Sequence, residues 1–222
     1  YAPPRPAKDQ TLPLPSSPNA ELSYSSSWSG KNAKRIAFAL QAKQTNDILL
    51  SLLHENIQRA QFNQYNLEVY VTIANLYRQN FEMISGIRDM DVDLASASQV
   101  SEKDPKAALD DVDRALDIAS SIWRQRNEVL QNAVKVWDIS WFPRATAANG
   151  RHFLHELDDV QDPLADRTVD MTYLVYRESQ LTFGAWVNLV LASRNEYATA
   201  HHLPARQYRM AWDDFNVPSA QP

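Results

Sequence analysis

The 222-residue chain has 44% hydrophobic and 22% charged residues, the balance of an ordinary globular protein rather than a disordered one. Its formal charge of −5 at neutral pH argues against a general nucleic-acid binder, which needs a basic patch to displace counterions from phosphates. The absence of cysteine excludes disulfides, thiolate catalysis and Cys-ligated metal centres.

Only four glycines occur, which disfavours a fold made of many tight turns and favours long helices. No apolar run approaches the roughly 20 residues that span a bilayer, so no membrane-spanning helix is expected. The chain opens at Tyr1 without a Met, a basic leader or an apolar signal core. It is therefore expected to be a processed product or a piece of a longer protein.

Residues 1–30 carry Pro3, Pro4, Pro6, Pro13, Pro15 and Pro18, half of all the prolines, with serines interspersed. This composition predicts an extended linker or strap, with Tyr24 and Trp28 as its anchors. From Lys31 to about residue 204 the texture is helical. Leu49, Leu52, Leu53, Ile57 and Ala60 mark one helix face, and Tyr70, Ile73, Ala74, Tyr77, Phe81, Ile84 and Ile87 mark a second. These stripes fit either two helices meeting near residues 62–66 or one long bent helix.

Residues 96–103 read as a polar connector. Asp104-Pro105 then signals a helix start, with Asp as N-cap and Pro at the first helical position. Asp110, Asp111 and Asp113 are expected to complement the helix dipole. Leu109, Val112, Leu116, Ala119, Trp123, Arg126, Leu130, Ala133 and Trp137 continue in 3–4 steps, predicting a helix over 105–139 that is roughly 50 Å long. The Tyr70–Ile87 stripe is its expected partner. Arg126, inside the seam, is expected to pair with an acid on a facing helix or to extend its head to water.

Pro143 ends that helix, and a less regular stretch over 140–167 contains the turn signal Asn149-Gly150. Helical character returns at Val169, Tyr173, Leu174 and Tyr176. A last helix is expected over 183–200, with Thr182 as N-cap and Pro204 beyond its end. Tyr208, Trp212 and Phe215 give the 205–222 tail apolar groups with which to dock as an irregular strap. No fixed repeat is present. The predicted fold is all-α, a bundle of long antiparallel helices with an extended Pro/Ser-rich N-terminal segment.

No phosphate loop, nucleophile elbow or complete zinc motif occurs. His54-Glu55 and His155-Glu156 both lack a second histidine. The dense polar cluster over 137–176 supplies the candidate ligand-binding residues: Trp141, Arg144, Asn149, Arg151, Asp158, Asp159 and Arg167. Three readings of it compete. His152, His155 and Asp158 or Asp159 have helix-like spacing for a metal. Asp158, Asp162 and Asp166 offer oxygens to calcium, without the central glycine of a calcium loop. The third reading pairs Arg144, Arg151 and Arg167 with the aspartates to hold an irregular segment against the bundle. This last reading is preferred, so no metal site or cofactor is expected. Trp123, Trp137 and Trp186 have core spacing. Trp141 and Trp212 are the better candidates for exposure.

The segment Trp141-Phe142-Pro143-Arg144, followed by Ala148-Asn149-Gly150-Arg151, Asp158-Asp159 and Ala165-Asp166-Arg167-Thr168-Val169-Asp170, resembles part of a known family. It is similar to the C-terminal helical region of bacterial family 20 glycoside hydrolases of the β-N-acetylhexosaminidase type. The similarity extends diffusely over residues 1–212 and is densest over 137–178. In that family an adjacent Asp-Glu pair on a (β/α)8 barrel performs the chemistry. This chain has no Asp-Glu dipeptide and no alternating strand–helix pattern, so no catalytic residue is carried over.

The resemblance implies a non-catalytic helical accessory domain with a barrel as partner, in the same or a cleaved chain, in a periplasmic or extracellular enzyme. It also leaves room for a homo-oligomer. Two other readings stand beside it. One is a stand-alone helical interaction or oligomerisation protein pairing through the 109–137 seam. The other is a metal-dependent hydrolase using the His152–Asp170 cluster.

Overall fold

The structure, a computed structural model, describes residues 12–25, 27–137, 147–148, 151–152 and 173–207. Among these the chain is an all-α bundle. A short helix α1 (Trp28–Lys31) leads into α2 (Ala33–Arg59), α3 (Gln64–Val100), α4 (Pro105–Trp137) and α5 (Tyr173–Ala200). The strands β1 (Ala147–Ala148) and β2 (Arg151–His152) form a two-residue antiparallel ladder on either side of Asn149-Gly150. No helix among the described residues is long and apolar enough to cross a membrane.

The two stripes before residue 90 belong to separate helices. The break falls at 61–63, where Asn63 takes a left-handed backbone (φ 58°) that asparagine tolerates better than most side chains. The expected 96–103 connector is mostly helix instead. α3 runs on to Val100 because its polar side chains find partners on other elements. Ser96 Oγ donates to Asp111 (2.6 Å), Ser98 Oγ accepts from the Tyr24 amide (3.0 Å), and Ala97 is buried.

Asp104 caps α4 as expected, its carboxylate accepting from the Ala107 amide at 3.0 Å. The following aspartates lie beyond the first turn, and Asp111 and Asp113 form ion pairs rather than serving the dipole alone. Asp113 pairs with Arg194 of α5 (2.9 Å) and with Arg206 (3.1 Å), and Asp111 with Arg114. The last helix starts at Tyr173, ten residues before its expected start, so Thr182 lies within α5 and is not its N-cap. No proline or glycine separates Tyr173 from Phe183, so nothing in the backbone forces a break there.

The core follows the α4 seam. Leu109, Val112, Leu116, Ala119 and Trp123 are buried against Ile87, Met90 and Leu94 of α3 and against Phe183, Trp186 and Val190 of α5. Arg126 is only 4% exposed, so its head group does not reach water. The expected α3 stripe meets this core through its last residues, Ile84 and Ile87, but not through its first half. Gly86, Met90, Leu94 and Ala97 line the packed face, whereas Tyr70 and Tyr77 are exposed. At Gly86 the two helices meet so closely that an added Cβ would lie 2.6 Å from Ile122 Cδ1 and 3.2 Å from Ile118 Cγ2.

The N-terminal strap closes the bundle between α3 and α5. Trp186 Nε1 donates to the Ser16 carbonyl (3.2 Å) and Ser193 Oγ to the Pro18 carbonyl (2.7 Å). Leu22 and Trp28 are buried, with the Trp28 indole donating to the Pro13 carbonyl. Tyr24 and Trp28 thus anchor the strap as the sequence indicated. Fully buried Asp91 on α3 collects the Tyr24 hydroxyl (2.5 Å), the Ser29 hydroxyl (2.6 Å) and the Ser29 amide (3.1 Å). These donors offset the cost of burying a carboxylate. Burial first, then the hydrogen bond and charge of Asp91, hold the Tyr24 phenol far above its ordinary range. It therefore remains a donor throughout the working pH range.

Two substitutions test this packing. Tyr24→Phe removes one donor from Asp91 and is expected to cost about 1–3 kcal/mol, read as a lower Tm in thermal unfolding. Gly86→Ala sets an overpacking cost of about 1–3 kcal/mol against a helix-propensity gain of about 1 kcal/mol, so it is expected to destabilise modestly. Adding Ile122→Val, which removes the clashing Cδ1, is expected to make the double variant more stable than the sum of the two single changes predicts.

Candidate functional site

The polar cluster singled out in the sequence lies almost wholly outside the described residues. This holds for Trp141, Arg144, Asn149, Asp158, Asp159 and Arg167. Only Arg151 and His152 have a described backbone, in β2. Among the described residues no group of three or more His, Asp or Glu side chains has the arrangement of a metal site.

The described surface offers a different feature. Phe38, Leu49 and Leu52 on α2 and Tyr70, Ile73 and Tyr77 on α3 are 36–70% exposed. Five of these, Leu49, Leu52, Tyr70, Ile73 and Tyr77, belong to the stripes that read as core in the sequence. α2 buries another face, through Ile36, Ala39, Asn46 and Leu50. Its exposed apolar residues lie off the face that meets α3, and a second apolar stripe on a helix points to a second packing surface.

The hairpin register brings the two stripes side by side. Asn46 Nδ2 donates to the Ala74 carbonyl (2.8 Å), and Arg78 Nε bonds Asp47 (2.6 Å). This antiparallel register sets Leu52 level with Tyr70, Leu49 with Ile73, Thr45 with Tyr77 and Phe38 with Ile84. At about 100° per residue, both stripes then fall on the side of the hairpin turned away from α4. Each is spaced in alternating steps of four and three. On α2 the positions are 38, 42, 45, 49, 52 and 56, and on α3 they are 66, 70, 73, 77, 80 and 84. None of these twelve positions holds Asp, Glu, Lys or Arg.

Charge is gathered elsewhere on the hairpin. Lys43, Asp47, Arg78 and Glu82 form a network with Lys43–Glu82 at 3.7 Å and Arg78–Glu82 at 2.7 Å. The Arg78 hydrogen bond is the main cause that lowers the Asp47 pKa below the usual carboxylate range. Asp93, where α3 faces α4, shifts the other way. Burial raises its pKa against the opposing pull of Arg114.

A second concavity, about 450 Å³, opens at the far end of the bundle between the strap and the ends of α3 and α5. Glu21, Ser23, Glu102 and His201 line it, and the Tyr197 hydroxyl is already committed to the Ser101 carbonyl.

No protein-family model, curated protein or solved structure matches the chain. What the described arrangement can do follows from its geometry. Two ridges of uncharged side chains at heptad spacing, apolar except at Thr45, Asn56, Asn66 and Asn80, form a surface suited to packing against other helices. Periodicity found these ridges but assigned them to the core. The signal that would have separated them is the continuous absence of charge on a face lying away from the α4 seam.

The two shifted carboxyls give opposite pH signatures. A depressed folded-state pKa stabilises the fold above the unfolded carboxyl range, and that contribution is lost as pH falls through the depressed value. Asp47→Asn is therefore expected to lower Tm at neutral pH, with the deficit vanishing in acid. A raised pKa makes stability fall as pH rises through the window above the unfolded value. Asp93→Asn is expected to raise Tm at neutral pH and to leave it unchanged in acid. Circular dichroism melts across that range check both signs.

Proposed function

We propose that the chain is a non-catalytic helical accessory domain of an exported glycoside hydrolase acting on N-acetylhexosaminide-containing glycans, supporting a separate (β/α)8 catalytic barrel. The observation that carries the docking role is the uncharged α2–α3 face, where Phe38, Leu49, Leu52, Tyr70, Ile73 and Tyr77 are exposed together. The glycosidase class rests on the resemblance over Trp141–Arg144, Ala148–Arg151, Asp158-Asp159 and Ala165–Asp170. A periplasmic or extracellular location follows from that enzyme class.

The alternative of a stand-alone oligomerisation protein named the α4 seam as its interface. Leu109, Val112, Leu116 and Ala119 of that seam are buried within the chain, so this part of it is taken up by the bundle itself. The α2–α3 face is also the surface that would serve that alternative.

The test is the intact product of the natural gene. The expected product is much heavier than the 25.3 kDa of this chain, contains a barrel with an adjacent Asp-Glu pair, and cleaves an aryl N-acetyl-β-hexosaminide. Leu49→Glu in that product is expected to leave the initial rate unchanged while lowering the temperature of inactivation. A product of 25.3 kDa, or a heavier one without a barrel, would overturn the glycosidase reading.

A further inference from the structure

We infer that the α2–α3 face pairs with the same face of a second copy of this chain, forming an antiparallel four-helix contact about a two-fold axis. The inference rests on the reading of that face as a docking surface and gives it a second copy as occupant, so that the barrel joins the domain through another surface. Three observations point to a second copy.

The first is charge. In an isologous contact the same patch appears on both sides, so a charged stripe would set like charges against each other near the axis. Here the twelve stripe positions are all uncharged, while Lys43, Asp47, Arg78 and Glu82 are held off the face in their own network.

The second is spacing. Both stripes keep the 4–3 step of a left-handed helical seam, and they lie level with each other along the hairpin. A partner presenting two antiparallel helices with the same step fits ridge to groove, and a second copy presents them. Asn66 and Asn80 fall on the α3 stripe. Polar residues of this kind within a helical seam fix register and partner number at some cost in stability.

The third is area. Phe38, Tyr70 and Tyr77 are each more than half exposed, and Leu49, Leu52 and Ile73 add to them. At aromatic side-chain areas of 150–250 Å² these six expose roughly 600 Å². With Thr45, Asn66 and Asn80 between them, the face approaches the ~800 Å² per partner of a standard interface.

Sedimentation velocity of the 222-residue chain tests this across a concentration series, beside Leu49→Glu, Tyr77→Glu and the control Leu189→Glu, which alters an exposed leucine on α5. The expected result is a species of twice the chain mass. Each of the two face variants should weaken its association by roughly thirtyfold or more, with helical circular dichroism unchanged, and the control should leave it intact. Amide exchange of the unaltered chain needs no variant. Peptides of α2 and of the first half of α3 should gain protection as concentration rises.

A chain that is monomeric throughout, or a dimer that neither face variant weakens, would overturn the inference. In the monomeric case, exchange in the intact gene product separates the two readings. Protection of α2 and α3 there means that another part of the enzyme covers the face, and the docking role survives. Free exchange there removes both.

Discussion

The bundle depends on how closely α3 and α4 approach each other. Gly86 has no Cβ, and the space that one would occupy is filled by Ile122 and Ile118 of α4. The same seam continues through Ala97, Ala108, Ala115 and Ala119, all essentially without exposure. Small residues in succession let two helix surfaces interlock at short separation, and dispersion contacts accumulate along the contact. The turn at Ser101–Lys103, with Asp104 as cap, fixes the register of the pair. Once that pair is set, each remaining element has one place to go. α5 packs against α4, the strap bridges α3 and α5, and α2 lies along the first half of α3.

Polar groups then specify what apolar packing leaves loose. Arg194 is nearly buried and is satisfied by both oxygens of Asp113 and by the Pro204 carbonyl. Arg206 reaches the Asp113 carbonyl and the Asp117 carboxylate, so the chain after α5 is tied back onto α4. Asp91 does the same for the strap. Each of these groups would be costly to bury alone. Together they select a single arrangement of strap, α4 and α5, because displacing any one strands its partners.

The sequence revealed α4 best because three independent signals agreed there: a capping Asp-Pro, an apolar seam, and a continuous run without glycine or proline. It revealed the start of α5 and the end of α3 poorly. Ser96 and Ser98 look like loop residues by composition, and only their partners Asp111 and Tyr24, distant in sequence, make them helical. Local preference was overridden by tertiary contact. The candidate cluster at Trp141–Arg167 lies almost wholly outside the described residues. The stripes of α2 and α3 were legible as amphipathic faces, but periodicity reports that a face is apolar, not which surface covers it. Tyr70, Ile73 and Tyr77 have the spacing of a partner for the α4 seam, but they lie on the opposite side of α3 and are exposed.

A partner for the exposed face explains a sequence that the isolated bundle does not need. α2 meets the chain through few large side chains, with only Ile36, Ala39, Asn46 and Leu50 buried. Leu49, Leu52 and Phe38 add nothing to that contact, and polar residues there would keep α2 helical at lower risk of aggregation. Thr45 and Asn56 lie within the same stripe, and the charged Lys43 and Asp47 lie just beside it. The hairpin therefore has polar residues at hand, yet Phe38, Leu49 and Leu52 on α2 and Tyr70, Ile73 and Tyr77 on α3 are gathered on one uncharged band of each helix, with exposed Ile48 at its margin. An apolar band without charge is what the core of an interface requires. It places the informative surface of this protein on the first two long helices, away from the polar cluster that first drew notice in the sequence.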